Sequence, residues 1–101
     1  MSGRRSRDKG ARTERAIVRM LKGLGAVKVS GMYKPGADIS IPLLGFERAI
    51  EVKCRATGFA QLYGWLKGRD VLIIKADYQE PLVVLPLSLA AKVAAAARSA
   101  Q

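Results

Sequence analysis

Apolar residues at helical spacing mark the first predicted element of the chain. Four of them occupy positions i, i+3, i+4 and i+7, namely Ile17, Met20, Leu21 and Leu24. This spacing places their side chains along one face of a helix, where they can be buried together. Gly25 follows the last of them, and a glycine at that point commonly ends a helix. The pattern therefore predicts a helix over residues 11–24.

The middle of the chain is patterned for strands. Residues 26–30 alternate as a short strand, and residues 37–44 and 46–54 predict two strands joined at Gly45 as a β-hairpin. Pro42 lies late in the first strand of this hairpin. It indicates an edge position or a bulge, because proline has no N–H to donate to a neighbouring strand.

Two strands and two helices complete the predicted order of elements. Residues 71–76 are almost entirely apolar, which is typical of a strand buried on both of its faces. A further short strand is predicted over residues 82–85. Helices are predicted over residues 57–66 and 88–98, the second with Ser88 as its N-cap. The order αβββαββα predicts an α/β fold, with a mixed central β-sheet flanked by helices.

The length of 101 residues allows one domain. Residues 1–10 are basic and lack apolar periodicity, so we interpret them as a flexible basic arm. Residues 11–101 then form the single domain. A chain of this size has a thin core, and a partner subunit would add buried area.

The charge balance indicates a polyanionic partner. The chain has 18 Lys and Arg residues against 8 Asp and Glu residues, a net charge of +10. Such an excess attracts nucleic acid; a basic membrane-surface protein and an RNA-binding module are the alternatives. No segment approaches the ~20 apolar residues of a membrane span, and the basic start lacks the apolar run of a signal peptide. We expect a cytoplasmic, nucleoid-associated protein with no membrane partner.

Two compositional absences restrict the chemistry. The sequence contains no histidine, which excludes Ser-His-Asp hydrolases, histidine-based nucleases and imidazole-liganded zinc. The lone Cys54 excludes an internal disulfide and a thiolate-rich zinc site, and it is interpreted as a small core residue. Hydrolysis by this chain must therefore use carboxylates, lysine and a metal held by oxygen ligands.

Residues 36–55 carry the strongest candidate chemistry. Because strand side chains alternate, Glu51 and Lys53 project from one face, while Ile50 and Val52 point into the core. Asp38 begins the preceding strand, and the hairpin should bring it close to them. Mg²⁺ prefers oxygen ligands that include one or two carboxylates.

These residues can be assigned roles in phosphodiester hydrolysis. Asp38, Glu51 and the carbonyl oxygen of Val52 can bind the metal ion, which would polarise a phosphate and activate a water. Lys53 can orient or deprotonate that water. The alternative is that Glu51 and Lys53 form an ordinary ion pair with no catalytic role.

The pattern Asp38…Glu51-Val52-Lys53 resembles the Asp…(Asp/Glu)-x-Lys signature of the restriction-endonuclease-like nuclease superfamily. Residues 7–15, with the sequence RDKGARTER, resemble the basic-Lys-Gly-x-x-x-Glu-Arg opening of archaeal-type Holliday junction resolvases. Val29-Ser30-Gly31 resembles their Ser-Gly turn. The resemblance covers residues 7 to about 90.

The resemblance implies a restriction-endonuclease-like core and a set of site residues. Glu14 would complete a metal site formed by Asp38 and Glu51, and Lys53 would be the catalytic lysine. Ser30 would help to position the substrate or assist the metal site, and Gln61 matches a glutamine found after the lysine strand in several members. Mg²⁺, with Mn²⁺ able to substitute, would be the cofactor.

The same resemblance implies a four-way DNA junction as substrate. A homodimer with two active sites would match the two-fold symmetry of that junction. For its interface, the second helix and residues 71–76 are the candidates. The alternatives are another nuclease of the superfamily acting on other branched or duplex DNA, and a non-enzymatic nucleic-acid-binding protein.

Basic and aromatic side chains supply candidate DNA contacts. Phosphate contacts position a substrate without reading its sequence. The candidates for such contacts are Arg4, Arg5, Arg7, Lys9, Arg12, Arg15, Arg19, Lys34 and Arg55, with Gln61 beside them. Tyr33, Tyr63 and Trp65 are candidates for stacking on bases, although a core or dimer-interface position is favoured for Trp65.

Overall fold

The computed structural model describes residues 2–29 and 38–100, with side chains from residue 9 onward in those ranges. Its elements are α1 (Ser2–Met20), a 3₁₀ turn (Lys22–Leu24), β1 (Val27–Lys28), β2 (Ile39–Leu43), β3 (Phe46–Ile50), α2 (Ala60–Leu66), β4 (Leu72–Ile74), β5 (Leu82–Val84) and α3 (Leu87–Ser99). The α/β class and the order αβββαββα are confirmed. Every helix in these ranges is too short or too polar to traverse a lipid bilayer.

The strands form two small antiparallel sheets. In the first, β2 lies between β1 and β3, and Ile39 pairs with Ile50. In the second, β4 pairs with β5, with Ile73 opposite Val83. The predicted single mixed sheet is therefore not found in the described residues. A short turn joins β4 to β5, and a short connection allows antiparallel but not parallel pairing.

The core lies where the end of α1 meets the three-stranded sheet. Among the described residues, the buried hydrophobic side chains are Leu21, Leu24, Ala26, Ile39 and Ile41. Two members of the predicted helical stripe, Leu21 and Leu24, are buried as expected. Met20 is instead 55% exposed. Met20 is the last residue of α1.

Helix α1 begins at Ser2 rather than at residue 11. Residues 2–10, which the sequence pattern presents as a flexible arm, therefore continue the helix. They contain no proline and no β-branched residue, and arginine and lysine favour helices. The arm was predicted because apolar periodicity is absent there, but a helix needs that periodicity only where it packs.

Gly25 and Pro42 meet where β2 passes the 3₁₀ turn. Pairing between β1 and β2 involves Ile39 and Ser40, so Pro42 lies beyond the end of β1 at an open edge, as predicted. Gly25 has a φ of 86°, and a Cβ atom there would lie 3.0 Å from Cγ of Pro42. Both the left-handed backbone and the close approach require glycine.

Apolar side chains around α2, β4 and β5 are exposed. Trp65 is 53% exposed and Ile73 65% exposed, and none of the residues in these three elements is buried. The prediction that residues 71–76 form a strand buried on both faces is therefore wrong for the single chain. No other described element packs closely over the β4–β5 pair.

Helix α3 is tied to the rest of the fold near its end. The guanidinium of Arg98 donates hydrogen bonds to the carbonyl oxygens of Leu24, at 2.7 Å, and Pro42, at 3.0 Å. The N-cap of this helix is Pro86, and Ser88 lies inside its first turn, without a side-chain capping bond. The predicted cap at Ser88 is wrong because the helix begins before it.

Candidate active site

The start of β2 fixes Asp38 against the chain that follows β3. The amide N–H of Asp38 donates to the carbonyl oxygen of Ile50 at 2.8 Å, and its own carbonyl oxygen accepts from the amide of Val29 at 3.2 Å. Oδ2 of Asp38 accepts a hydrogen bond from the amide N–H of Val52 at 2.6 Å. The carboxylate is therefore held beside the residue that separates Glu51 from Lys53.

Side chains after β3 alternate as the sequence pattern predicted. Ile50 and Val52 are partly buried and pack against the core, whereas Glu51 and Lys53 are exposed. Oε1 of Glu51 lies 3.2 Å from Nζ of Lys53, and each side chain is about half exposed. An ion pair this open contributes roughly 0–1 kcal/mol. Both groups therefore stay accessible to another charged partner.

Glu14 projects from α1 into an open cleft of about 480 Å³ beside the same segment. The cleft is lined by Lys9, Gly10, Glu14, Val52, Lys53, Cys54, Arg55 and Ala56. The Glu14 side chain is 19% exposed, and its Oε1 lies 3.5 Å from Nζ of Lys28 on β1. Glu14 and Lys53, which are 39 positions apart in sequence, thus line one cavity.

Lys28 is a site residue that the sequence reasoning missed. Lys28 lies on β1 and Glu14 on α1, and their side chains meet where these two elements pack together. A spacing rule within a single element could not have related the two residues. Cys54 lines the cleft and is partly buried, with Sγ 3.7 Å from Oγ1 of Thr13. The sequence pattern predicted a core position for Cys54, but it is only partly buried and is not among the described side chains that pack against the core.

The cleft brings three cationic side chains to one opening. Lys9, Lys53 and Arg55 face a single carboxylate among the residues that line it, that of Glu14. An opening with three positive charges and one negative charge attracts anions such as phosphate, while the carboxylate can attract a cation. The cleft therefore has the chemistry of a phosphate site next to an acidic group.

The carboxylates do not all converge. The Asp38 carboxylate accepts a hydrogen bond from Val52 and the Glu51 carboxylate pairs with Lys53, but neither Asp38 nor Glu51 lines the cleft. In the part of the chain that the structure describes, no three His, Cys, Asp or Glu side chains form a cluster. A cluster of three is not a requirement for every metal ion, since Mg²⁺ binds through one or two protein carboxylates and keeps several waters.

The other predicted contact residues are distributed as follows. Arg12, Arg15 and Arg19 are exposed along α1, and Gln61 is exposed on α2, away from the cleft lining. Ser30, Tyr33 and Lys34, and the side chains of Arg4, Arg5 and Arg7, lie outside the described residues.

Comparison with family models, with curated proteins and with solved structures finds no match to this chain. Membership of the nuclease superfamily therefore stays a hypothesis that depends on the motif and on the local geometry described above.

Proposed function

We propose that this chain is a Mg²⁺-dependent, structure-selective DNA endonuclease, most similar in activity to a Holliday junction resolvase. The observation that carries the proposal is the 2.6 Å hydrogen bond between Oδ2 of Asp38 and the amide of Val52. It holds one carboxylate beside the Glu51-Val52-Lys53 segment. Two carboxylates and an ammonium group from neighbouring strands are then available at one end of the hairpin.

The donor set fits a divalent cation with hard oxygen ligands. Asp38 and Glu51 would hold it, together with the carbonyl oxygen of Val52. The resemblance would also place Glu14 in this site, but Glu14 lines the cleft apart from the other two carboxylates. A bound Mg²⁺ would supply a polarised phosphate and an activated water. Mn²⁺ has similar ligand preferences and should substitute.

The chain's own cations would bind and orient the substrate. Lys53 lies in the cleft with Lys9 and Arg55, where its ammonium group can contact the scissile phosphate and the attacking water. Arg12, Arg15 and Arg19 are exposed on α1 and can contact phosphates farther along the DNA. The α1 sequence, residues 2–20, contains seven basic and two acidic residues, so much of the net attraction belongs to this helix.

The proposed substrate is branched DNA, with a homodimer as the active form. Resolution of a four-way junction requires one nick in each of two opposite strands. A two-fold dimer carries one cleft per protomer and so provides both nicks in a single complex.

The test is cleavage of an end-labelled four-way junction with and without Mg²⁺, beside a flap and a plain duplex. We expect metal-dependent nicking, fastest on the junction. Asp38→Asn and Lys53→Ala should each reduce the rate at least about 10²–10³-fold, as loss of a charge-stabilising group does. Both variants should still bind the junction, and Lys67→Ala, at an exposed lysine outside the cleft lining, is the matched control. Undiminished cleavage by either site variant would contradict the assignment.

A second candidate function is favoured by the two ion pairs. Glu14 is paired with Lys28, and Glu51 with Lys53, as in a protein where these carboxylates only support the fold. A non-enzymatic DNA-binding protein would show the same salt-sensitive binding but no cleavage with Mg²⁺ or Mn²⁺. Rapid cleavage of flaps or plain duplex, with the junction resistant, would instead indicate another nuclease of the same superfamily.

A further inference from the structure

The β2–β3 hairpin ends in two large apolar side chains that are mostly exposed. Leu44 is 65% exposed and Phe46 is 67% exposed. They flank Gly45 at the point where the two strands join. Neither is among the described side chains that pack against the core. Packing of the core therefore does not explain why this tip is apolar.

The backbone of the turn makes leucine an unfavourable residue at its first position. Leu44 has a φ of 53° and Gly45 has a φ of 84°. Two central residues with positive φ define a type I′ turn, in which asparagine followed by glycine is strongly preferred. A bulky side chain in the left-handed region is strained, and residues held in this way cluster at functional sites. Leu44 therefore combines backbone strain with an exposed apolar side chain.

Arg48 holds the ring of Phe46 in place. Its guanidinium lies 5.1 Å from the centre of the Phe46 ring, which is a cation–π contact. The Nε–H of Arg48 also donates a hydrogen bond to the carbonyl oxygen of Leu43 at 3.1 Å. The ring at the tip is thus oriented by a neighbouring cation on the same face of β3.

The charges near the tip favour a polyanion as its partner. Arg48 is on the hairpin itself, and the guanidinium of Arg98 donates to the carbonyl oxygen of Pro42 at 3.0 Å. Lys22 is exposed in the 3₁₀ turn beside Pro42. Against these three cations, the hairpin sequence has one acidic residue, Glu47. DNA-bending proteins insert leucine and phenylalanine side chains between base steps, while nearby cations contact the phosphates.

The β4–β5 turn offers a comparison within the same molecule. Tyr78 also has a positive φ, of 62°, and its side chain is fully exposed. Residues 75–81 contain Lys75 against Asp77 and Glu80, so this turn has a net negative charge. Phosphate would be repelled there. The two turns share strain and exposure, but their charges differ in sign.

We infer that the tip of the β2–β3 hairpin, formed by Leu44 and Phe46, is an apolar wedge that enters a base step of branched DNA. A base that is already unpaired or poorly stacked costs least to displace from its stack. The wedge therefore gives the proposed nuclease a physical reason to prefer a branch point over plain duplex. Leu44 is six residues from Asp38, about 20 Å along the hairpin, so the wedge reaches about six base pairs from the candidate active site.

This inference rests on the DNA substrate of the proposed function, but not on metal binding or cleavage. It can therefore be tested in EDTA with 2-aminopurine, a base analogue whose fluorescence rises when it leaves the base stack. The probe is placed at successive positions of a four-way junction, from the branch point outward over about six base pairs. We expect the chain at saturating concentration to raise the emission at one or two adjacent positions near the branch point.

Three variants identify the side chains responsible. Leu44→Asn and Phe46→Ser should each remove most of the rise in emission, whereas fluorescence anisotropy should show that the junction is still bound through its phosphates. Leu44→Asn suits the turn, so loss of folding does not complicate its interpretation. Tyr78→Asn makes the same replacement at a strained, exposed position in the acidic turn and should leave the rise unchanged.

Several results would overturn the inference. One is constant emission from a junction that the chain saturates, and another is an equal rise with the parent chain and both tip variants. A third is a lower sedimentation mass for Leu44→Asn with its emission rise intact, since a second copy of the chain would then cover the tip. Unstacking without cleavage in Mg²⁺ would refute only the nuclease activity, cleavage without unstacking only the wedge, and a chain that does not bind the junction would refute both.

Discussion

The two halves of this molecule differ in what holds them together. The end of α1 and the β1–β2–β3 sheet enclose Leu21, Leu24 and Ile39. The α2–β4–β5 half has stronger apolar runs in its sequence, yet none of its residues is buried. The first half closes its core within the chain and carries the candidate active site. The second half also has large apolar side chains, but no other element in the described residues packs closely over them. An apolar pattern thus specifies that a surface is to be buried, but not which molecule buries it.

Matched truncations in the two halves should give the largest difference. Ile39→Ala should lower the free energy of unfolding by about 2–5 kcal/mol, because it empties part of a fully buried site. Ile73→Ala removes the same atoms from an exposed site, so it should lower this free energy by only about 0.5 kcal/mol or less. Urea unfolding of both variants tests this. Losses of equal size would remove the distinction between the halves.

The second-largest difference between the two halves should appear in DNA binding when basic residues are replaced. Replacing Arg12, Arg15 and Arg19 with glutamine should weaken DNA binding and reduce its salt slope by up to about 2.7, at about 0.9 for each phosphate contact. The matched control replaces Lys67, Arg69 and Lys75, which lie in the half that contains α2, β4 and β5. Fluorescence anisotropy over a salt series measures both. A slope that changes equally in the two variants would show that α1 is not the main DNA-binding surface.

A smaller effect is expected where α3 closes the first half. Arg98→Met should cost about 1–2 kcal/mol of unfolding free energy, because charge-assisted hydrogen bonds to the Leu24 and Pro42 carbonyls are lost. Arg69→Met is the control, since the guanidinium of Arg69 bonds only the carbonyl of its neighbour Gly68 among the described residues. Thermal unfolding by circular dichroism compares them, and equal changes would mean that Arg98 does not anchor α3.

The smallest predicted effect is a gain in stability at the hairpin turn. Leu44 has a φ of 53° beside Gly45 at 84°, and turns of this kind favour asparagine at the first position. Leu44→Asn should therefore raise the free energy of unfolding by about 0.5–1 kcal/mol through relief of backbone strain. Phe46→Asn, next to the turn but in strand β3, should bring no such gain. A loss in the Leu44 variant would indicate that its exposed side chain packs against something else.

Much of the fold could be predicted from local patterns. The element order, the hairpin at Gly45 and the alternation of Ile50 and Val52 with Glu51 and Lys53 follow from side-chain period, which is a property of the local backbone. The proximity of Asp38 to that segment also followed, because a hairpin fixes its own register. The start of α1 could not be predicted in this way, because residues 2–10 carry no apolar period.

Residue types and their spacing fix the chemistry available to this chain: no histidine, one thiol, an excess of ten positive charges, and a glutamate and a lysine two positions apart. Packing between elements then determines which of these groups meet. It paired Glu14 with Lys28, opened the cleft between α1 and residues 52–56, and left β4 uncovered. Spacing along the chain fixes only which side chains are neighbours within one element. Contacts between elements depend on how their whole surfaces pack together, and no local pattern specifies that.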